Sequence, residues 1–511
     1  MTGGKKRGSL RRLIAAGSVL ALLGAALPAG AQPAETQLIV QASPQRVDAV
    51  KRSIEALGGR VVRDLPIIDG FSAVVPDDVG VEGITGVVSV TPDAAVSLSS
   101  TSHNSNDVVP IGVLTGRVLD ADRFWRRGIT GSGIGVALID SGVSPVGGLD
   151  APGKILNGPD LSFDGGLPNL AILDMYGHGT HLAGIIAGSD PGRPSRPSAS
   201  WIRSNFAGVA PDAHIVNVKV ADATGTADVS QVIAGIQWVV EHKDDPEAPI
   251  DILTLAFGTD GTQDYRIDPL AHAAESAWHA GIVVVVAAGN DDQTSALRNP
   301  AFDPFVISVG ATDPHGTPGV GDDEILGFSN CGTSLRAVDL VAPGRSISSL
   351  RVPNSFIDAH FPNAADGTRF FRGTGTSQSA AVVAGAAALL LDQRPNLTPD
   401  QVKDLLVGEA SDLPGKKCHD ARALNLAATL KAPTPAASQV WDQSDGSGSL
   451  EEARGSYHVY KDGEALTGEI DVTGGTWSGG TWSGGTWSGG TWSGGTWSGG
   501  TWSGGTWSGG T

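Results

Sequence analysis

The sequence predicts an α/β domain, a mostly parallel sheet between two layers of helices, preceded by a small α+β unit. Three observations carry this. Ile134 to Ile139, Ile215 to Val220, Ile250 to Phe257, Ile282 to Ala287 and Phe305 to Val309 are short, nearly continuous apolar runs, the pattern of strands buried on both faces. Between them lie stretches of helical period, His178 to Ala187, Val229 to Val240, Leu270 to His279 and Ser377 to Leu391, and such alternation builds a parallel sheet wrapped by helices. Ahead of both, residues 36–96 carry a shorter set of alternating elements of their own.

Residues 1–31 begin with Lys5, Lys6, Arg7, Arg11 and Arg12, continue through an apolar run from Leu13 to Leu27 and end in Ala29-Gly30-Ala31. Basic head, apolar stretch and small-residue exit are the parts of a signal peptide, with cleavage after Ala31, so the chain is expected to be secreted. The alternative, an N-terminal membrane anchor, has a run shorter than the roughly 20 residues of a span. No cysteine near the exit supports a lipid anchor.

In residues 36–96, Gln37 to Gln41 reads as a strand, and Val47, Val50, Ile54 and Leu57 fall at helical spacing up to Gly58-Gly59. Two β-rich runs broken by Asp69-Gly70 follow, then a short helix-like or turn region and GVVSVTPD. The order β-α-β-β-α-β is the split, ferredoxin-like pattern. Residues 97–117 are a linker by composition; its polar tract, STSHNSND at the centre, is open to proteolysis. The α/β domain is expected over 118–430, interrupted by Asp190 to Phe206 and Arg351 to Arg369 as surface loops or lids.

Residues 431–473 read as a linker or small poorly defined segment. Over 474–511 a Gly-Gly-Thr-Trp-Ser unit recurs, with tryptophan at 477, 482, 487, 492, 497, 502 and 507. That period fits neither helix nor strand, and the glycines make a helix costly. The tail is either a flexible extension or an adhesive segment whose indole faces stack on carbohydrate or cell-wall polymer at the cell surface.

The formal charge is -19, which argues against nucleic acid and anionic membrane as partners of the body of the protein. Cys331 and Cys418 are the only cysteines. An oxidising compartment permits a bridge between them, and sequence leaves its formation open.

Three segments carry the chemistry. Val136-Ala-Leu-Ile-Asp140-Ser-Gly142 is an apolar strand ending in a carboxylate, where open parallel sheets present functional groups. Gly177-His178-Gly179-Thr180-His181-Leu182-Ala183-Gly184 opens a helix; its paired histidines lack the HExxH arrangement of a zinc site. Gly373-Thr-Gly-Thr-Ser377-Gln-Ser-Ala-Ala sets a serine at a helix start, among unpaired backbone N–H groups. Singly, the aspartate reads as a turn cap and the serine as an N-cap.

Together, VALIDSG, HGTHLAG and GTSQSAA resemble the aspartate, histidine and serine blocks of the subtilisin-like serine proteases, in that family's order. The resemblance covers about residues 120–428. It implies a subtilisin-like three-layer fold and a triad of Asp140, His178 and Ser377, with His181 a structural neighbour. A fourth block, Ala287-Ala288-Gly289-Asn290, is similar to the family's AAGN segment and implies Asn290 as oxyanion donor. Leu255, Ala256, Phe257 and Gly258 would pair with an extended peptide, and Ala287, Ala288 and Gly289 would wall the pocket for the side chain before the cleaved bond.

Departures from the family pattern are Ala256 for a serine, Gln378-Ser379 for Met-Ala, and Val382 near the position of a missing proline. The implied substrates are proteins or peptides. The implied partner is the chain's own residues 36–96, which resemble the family's inhibitory propeptide; an independent adaptor domain is the alternative. No cofactor is implied for catalysis. Structural calcium belongs to the family's repertoire, with acidic turns such as Asp291-Asp292 as candidate ligands and no ligand set assigned. A surface-binding protein with a degenerate peptidase-like domain is the competing function class, disfavoured because all four site residues occur together.

Overall fold

A computed structural model describes residues 35–76, 79–92, 95–98, 108–166, 170–415, 417–447, 460–461 and 464–465. The leader expected over 1–31, nearly all of the polar tract up to 107 and the repeat tail 474–511 lie outside the described residues.

The first strands are β1 (Glu35–Ala42), β2 (Arg60–Leu65), β3 (Gly70–Pro76) and β4 (Val87–Pro92), with helix α1 (Val47–Ala56) after β1. They form an antiparallel sheet of order β2-β3-β1-β4. Between β3 and β4 the chain makes one 3-10 turn, Val81–Gly83. Strand alternation divides the apolar side chains between two faces. Leu38 and Val40 pack with Val50 and Ile54 of α1 and with Phe71, Ala73 and Val75. Ile39, between them in sequence, joins Leu65 and Ile68 in the large core shared with the following domain.

The chain then runs through β5 (Ala95–Leu98) into the α/β domain. Its strands include β6 (Gly135–Asp140), β7 (Ile155–Asp160), β8 (His214–Lys219), β9 (Thr226–Asp228), β10 (Ile252–Leu255), β11 (Phe257–Gly258), β12 (Val283–Ala287), β13 (Ile307–Asp313) and β14 (Leu340–Pro343). A ten-stranded sheet runs parallel through β14-β13-β12-β10-β6-β8-β7. Every residue of β6, β10, β12 and β13 is buried, as strands covered on both faces require.

Helices α2 (His178–Ala187) and α5 (Thr376–Gln393) pack on each other, as do α3 (Val229–His242) and α4 (Pro269–His279). Their starts are chemically specified. Asp228 and Gln231 form a capping box at α3, and the Asp268 side chain accepts from the N–H groups of Leu270 and Ala271 with Pro269 at the first turn of α4. Helix α6 (Pro399–Gly408) opens on a second box, Thr398 with Gln401.

The interrupting stretches contain short helices, Ala199–Ser204 and Phe356–His360. The second leans on the turn before α2: Phe356 N–H donates to Met175 O at 2.9 Å, and the rings of Tyr176 and Phe356 stack 5.5 Å apart. Residues 431–447, expected as linker, hold no helix or strand but lie along α6 and α4. The Gln439 N–H donates to Asp400 Oδ2 at 3.0 Å, the Ser444 N–H to Glu275 Oε2 at 2.9 Å, and Ser444 O lies 2.8 Å from His272 Nδ1. Cys331 and Cys418 are joined in a disulfide, their Cα atoms 4.8 Å apart.

Candidate active site

Strand β6 ends at Asp140 and α2 begins at His178, so the fold carries a carboxylate and an imidazole to the same end of the sheet. His178 Nδ1 lies 3.0 Å from each carboxylate oxygen of Asp140, and both side chains are buried. Only a glycine permits this approach at position 179: a Cβ there would meet Gly142 O at 2.2 Å and Asp140 Oδ1 at 3.1 Å. Burial alone pushes the imidazole pKa down. The charge of Asp140, its hydrogen bond and the more distant Asp174 carboxylate outweigh that, and the net pKa is raised above 6.5.

Asp140 is itself held from behind, by residues not singled out in the sequence. The Ser141 N–H donates to Asp140 Oδ1 at 2.7 Å. Ser141 Oγ lies 3.1 Å from Asp140 Oδ1 and 2.8 Å from Asp174 Oδ1, and accepts from the Gly179 N–H at 3.1 Å. Asp174, fully buried, also accepts from the N–H groups of Gly177 at 2.6 Å and Thr180 at 2.8 Å. Burial raises its pKa despite these bonds. One chain of contacts therefore ties both ends of the turn before α2 to the carboxylate that faces His178.

Ser377 is the second residue of α5, in its first turn. Its Oγ donates to Ala256 O at 3.0 Å. Asn290 follows β12, and its Oδ1 accepts from Thr376 N–H at 2.9 Å and Thr376 Oγ1 at 3.0 Å. These two bonds fix which way the carboxamide is turned, so Nδ2 faces away from Thr376.

Leu255, Ala256, Phe257 and Gly258 are buried, with Ala256 the one-residue break between β10 and β11. Strand β11 pairs antiparallel with β5, Phe257 opposite Leu98 and Gly258 opposite Ser97, and β9 pairs with the other edge of β5. The chain's own backbone thus runs as the middle strand of a three-stranded sheet beside Ser377. Ala287, Ala288 and Gly289, all buried, lie across from β11.

His181 serves packing. Its Nε2 lies 3.2 Å from Ile347 O and 3.1 Å from Phe371 O. Burial, with the neighbouring His178, lowers its pKa to about 4, so it stays neutral. The acidic turn offered to calcium does not fit the ion: Asp291 is paired with Arg298 and accepts from Asn330 Nδ2 at 2.8 Å, and Asp292 accepts from Thr294. Among the described residues no group of three or more His, Cys, Asp or Glu is arranged to hold a metal ion.

Comparisons with known proteins converge on one family. A family model described as the subtilase family, Peptidase_S8, matches residues 131–448. The chain is 37% identical over 334 residues to serine protease AprX of Bacillus subtilis, covering 62% of this chain and 72% of that protein. It is 30% identical over 373 residues to subtilisin E of the same species, covering 71% of this chain and 81% of that one. Among solved structures, fervidolysin of Fervidobacterium pennivorans, a keratinolytic enzyme related to subtilisin, superposes with a TM-score of 0.60 at 25% identity, over 80% of this chain and 63% of its own.

Proposed function

The chain belongs to the subtilase family of serine proteases, and from that premise we propose that it is a secreted endopeptidase made as a self-processing zymogen, with Ser377 as nucleophile, His178 as general base and Asp140 as the carboxylate that orients it. The observation that carries this is the buried Asp140–His178 pair at the start of α2, which packs on α5, the helix that carries Ser377 in its first turn, with Asn290 Oδ1 bonded to the neighbouring Thr376.

Ser377 Oγ turns from Ala256 O toward His178 Nε2 and attacks the scissile carbonyl while Nε2 takes its proton. The attack places negative charge on the carbonyl oxygen. Asn290 Nδ2 and the backbone N–H of Ser377 receive it, a donor of this kind contributing about 3 kcal/mol in the transition state. Asp140 keeps the proton of His178 on Nδ1 and favours the imidazolium that forms. His178 then protonates the leaving amine, and water hydrolyses the acyl-enzyme by the same route.

Two features support the zymogen. The strand order β2-β3-β1-β4 is compatible with a ferredoxin-like inhibitor unit, and β5, which follows it, pairs on both edges with β9 and β11, as an extended substrate would in this reading. Secretion is supported by the basic and apolar leader. Expression of the wild type and of Ser377→Ala, followed by mass spectrometry, tests the reading. A cut between about residues 93 and 107 in the wild type, absent from the variant, is expected; equal cleavage of both refutes self-processing.

A further inference from the structure

We propose that Arg298 is the specificity-determining residue of this peptidase, closing the pocket for the side chain before the scissile bond so that it admits small uncharged residues. The proposal rests on the peptidase reading above and deepens it.

The residue whose carbonyl is attacked must lie beside Ser377 Oγ, between the two segments that flank it, 255–258 and 287–290. The floor between those segments is residues 298–299. Arg298 N–H donates to Ala288 O at 2.9 Å, while Asn299 exchanges both backbone hydrogen bonds with Thr259, at 3.0 and 3.1 Å. The peptide at 298–299 therefore bridges one wall to the other.

The Arg298 side chain rises from this bridge into the space between two glycines. A Cβ on Gly258 would come within 2.7 Å of Arg298 Cβ, and one on Gly289 within 2.5 Å of Arg298 Cγ. Gly289 also has φ +116°, a conformation that side chains rarely adopt. Both walls are bare, and the stem of Arg298 fills what they leave.

The guanidinium is anchored. Nε donates to Asp291 Oδ2 at 2.7 Å, Nη2 bonds Asp291 Oδ1, and Nη1 lies 3.6 Å from Asp260 Oδ2. The side chain is only 13% exposed. Two carboxylates already share one guanidinium, so the floor offers no spare positive charge to an acidic side chain, and its depth is limited by the anchored stem.

The test is a series of peptide anilides differing only in the residue before the anilide: Ala, Ser, Leu, Phe, Lys and Glu. Wild type is expected to favour Ala over Phe in kcat/KM by about tenfold or more, the scale on which pocket volume discriminates. Arg298→Gly should raise the Phe value by about tenfold while Ala changes far less. Arg298→Met, which keeps a stem between the glycines without charge, should retain the preference for Ala. A wild type that favours Phe, Leu, Lys or Glu, or an Arg298→Gly enzyme with the wild-type ratio, overturns the proposal. If Arg298→Gly does not fold, the wild-type profile and Arg298→Met decide alone. Failure of the peptidase reading is distinct: no anilide is hydrolysed, and wild type matches Ser377→Ala.

Discussion

His178 Nδ1 is equidistant, at 3.0 Å, from the two carboxylate oxygens of Asp140. As the proposed general base, His178 works only when neutral, and this contact raises its pKa above the ordinary 6.5. Activity is therefore lost as pH falls through a value above 6.5, and the acid limb of kcat/KM against pH reports it. The effect on stability has the opposite direction: a raised folded-state pKa stabilises fully below the unfolded value and ceases to as pH rises through the folded one. In Asp140→Asn the acid limb should move down, and kcat should fall on the order of ten-thousandfold. An unchanged limb would remove Asp140 from its role.

The Asn290 carboxamide is turned by Thr376, so the two side chains act on one donor. Asn290→Ala should lower kcat by about a hundred- to a thousandfold with little change in KM, because the donor meets charge that exists only in the transition state. Thr376→Val keeps the backbone bond and removes the hydroxyl, and should cost less. Equal loss in KM and none in kcat for Asn290→Ala would assign it to ground-state binding instead.

Ser141 and Asp174 hold the Asp140 carboxylate, which in the proposed mechanism orients the base, without themselves touching a reacting atom. Asp174→Asn should lower kcat roughly ten- to a hundredfold, the scale of hydrogen bonds to charged groups, and shift the acid limb with it, since the Asp174 charge is among those that raise the His178 pKa. A purely structural role would lower thermal stability while leaving the limb in place. The pH profile separates the two.

These two residues also mark where legibility in the sequence ended. Asp140, His178, Asn290 and Ser377 each sit in a short block beside its own strand or helix, so local pattern singles them out as candidates. Asp174 acts because residues 172–177 fold back over Gly142, a contact between loops that no periodicity records. The same holds for elements. Strands such as Val283–Ala287 announce themselves by unbroken apolar runs, whereas Ile155–Asp160 (ILNGPD) lies at the sheet edge, half exposed, with Gly and Pro inside it. Arg298 carries no local signal, since a charged residue in a polar stretch reads as surface until the fold brings beside it the glycines it fills.

The register of β5 narrows the processing site. Leu98 faces Phe257, and Ala256, next along, accepts from Ser377 Oγ. The cut is thus expected close after this strand, and N-terminal sequencing of the mature enzyme should find a start within 93–107. A start outside 93–107 would show that the strand is not held as a substrate.

Residues 431–447 bind the α/β domain and the N-terminal unit at once. Ser444 is buried, its N–H on Glu275 Oε2 and its carbonyl 2.8 Å from His272 Nδ1, and the next carbonyl, Asp445 O, accepts from Gln41 Nε2 at 2.5 Å. Removing the segment leaves Glu275, a buried carboxylate, without that donor, which costs more than the bond alone contributes. A chain ending at 432 should melt several degrees below one ending at 447, given roughly 2–4 °C per kcal/mol in domains of this order. In the 432 form the N-terminal unit, supplied separately, should also inhibit less tightly, because Gln41 has lost its acceptor. Equal melting temperatures and equal inhibition in the two forms would return the segment to the role of a passive linker. A drop in melting temperature alone would confine its function to bracing α4 and α6.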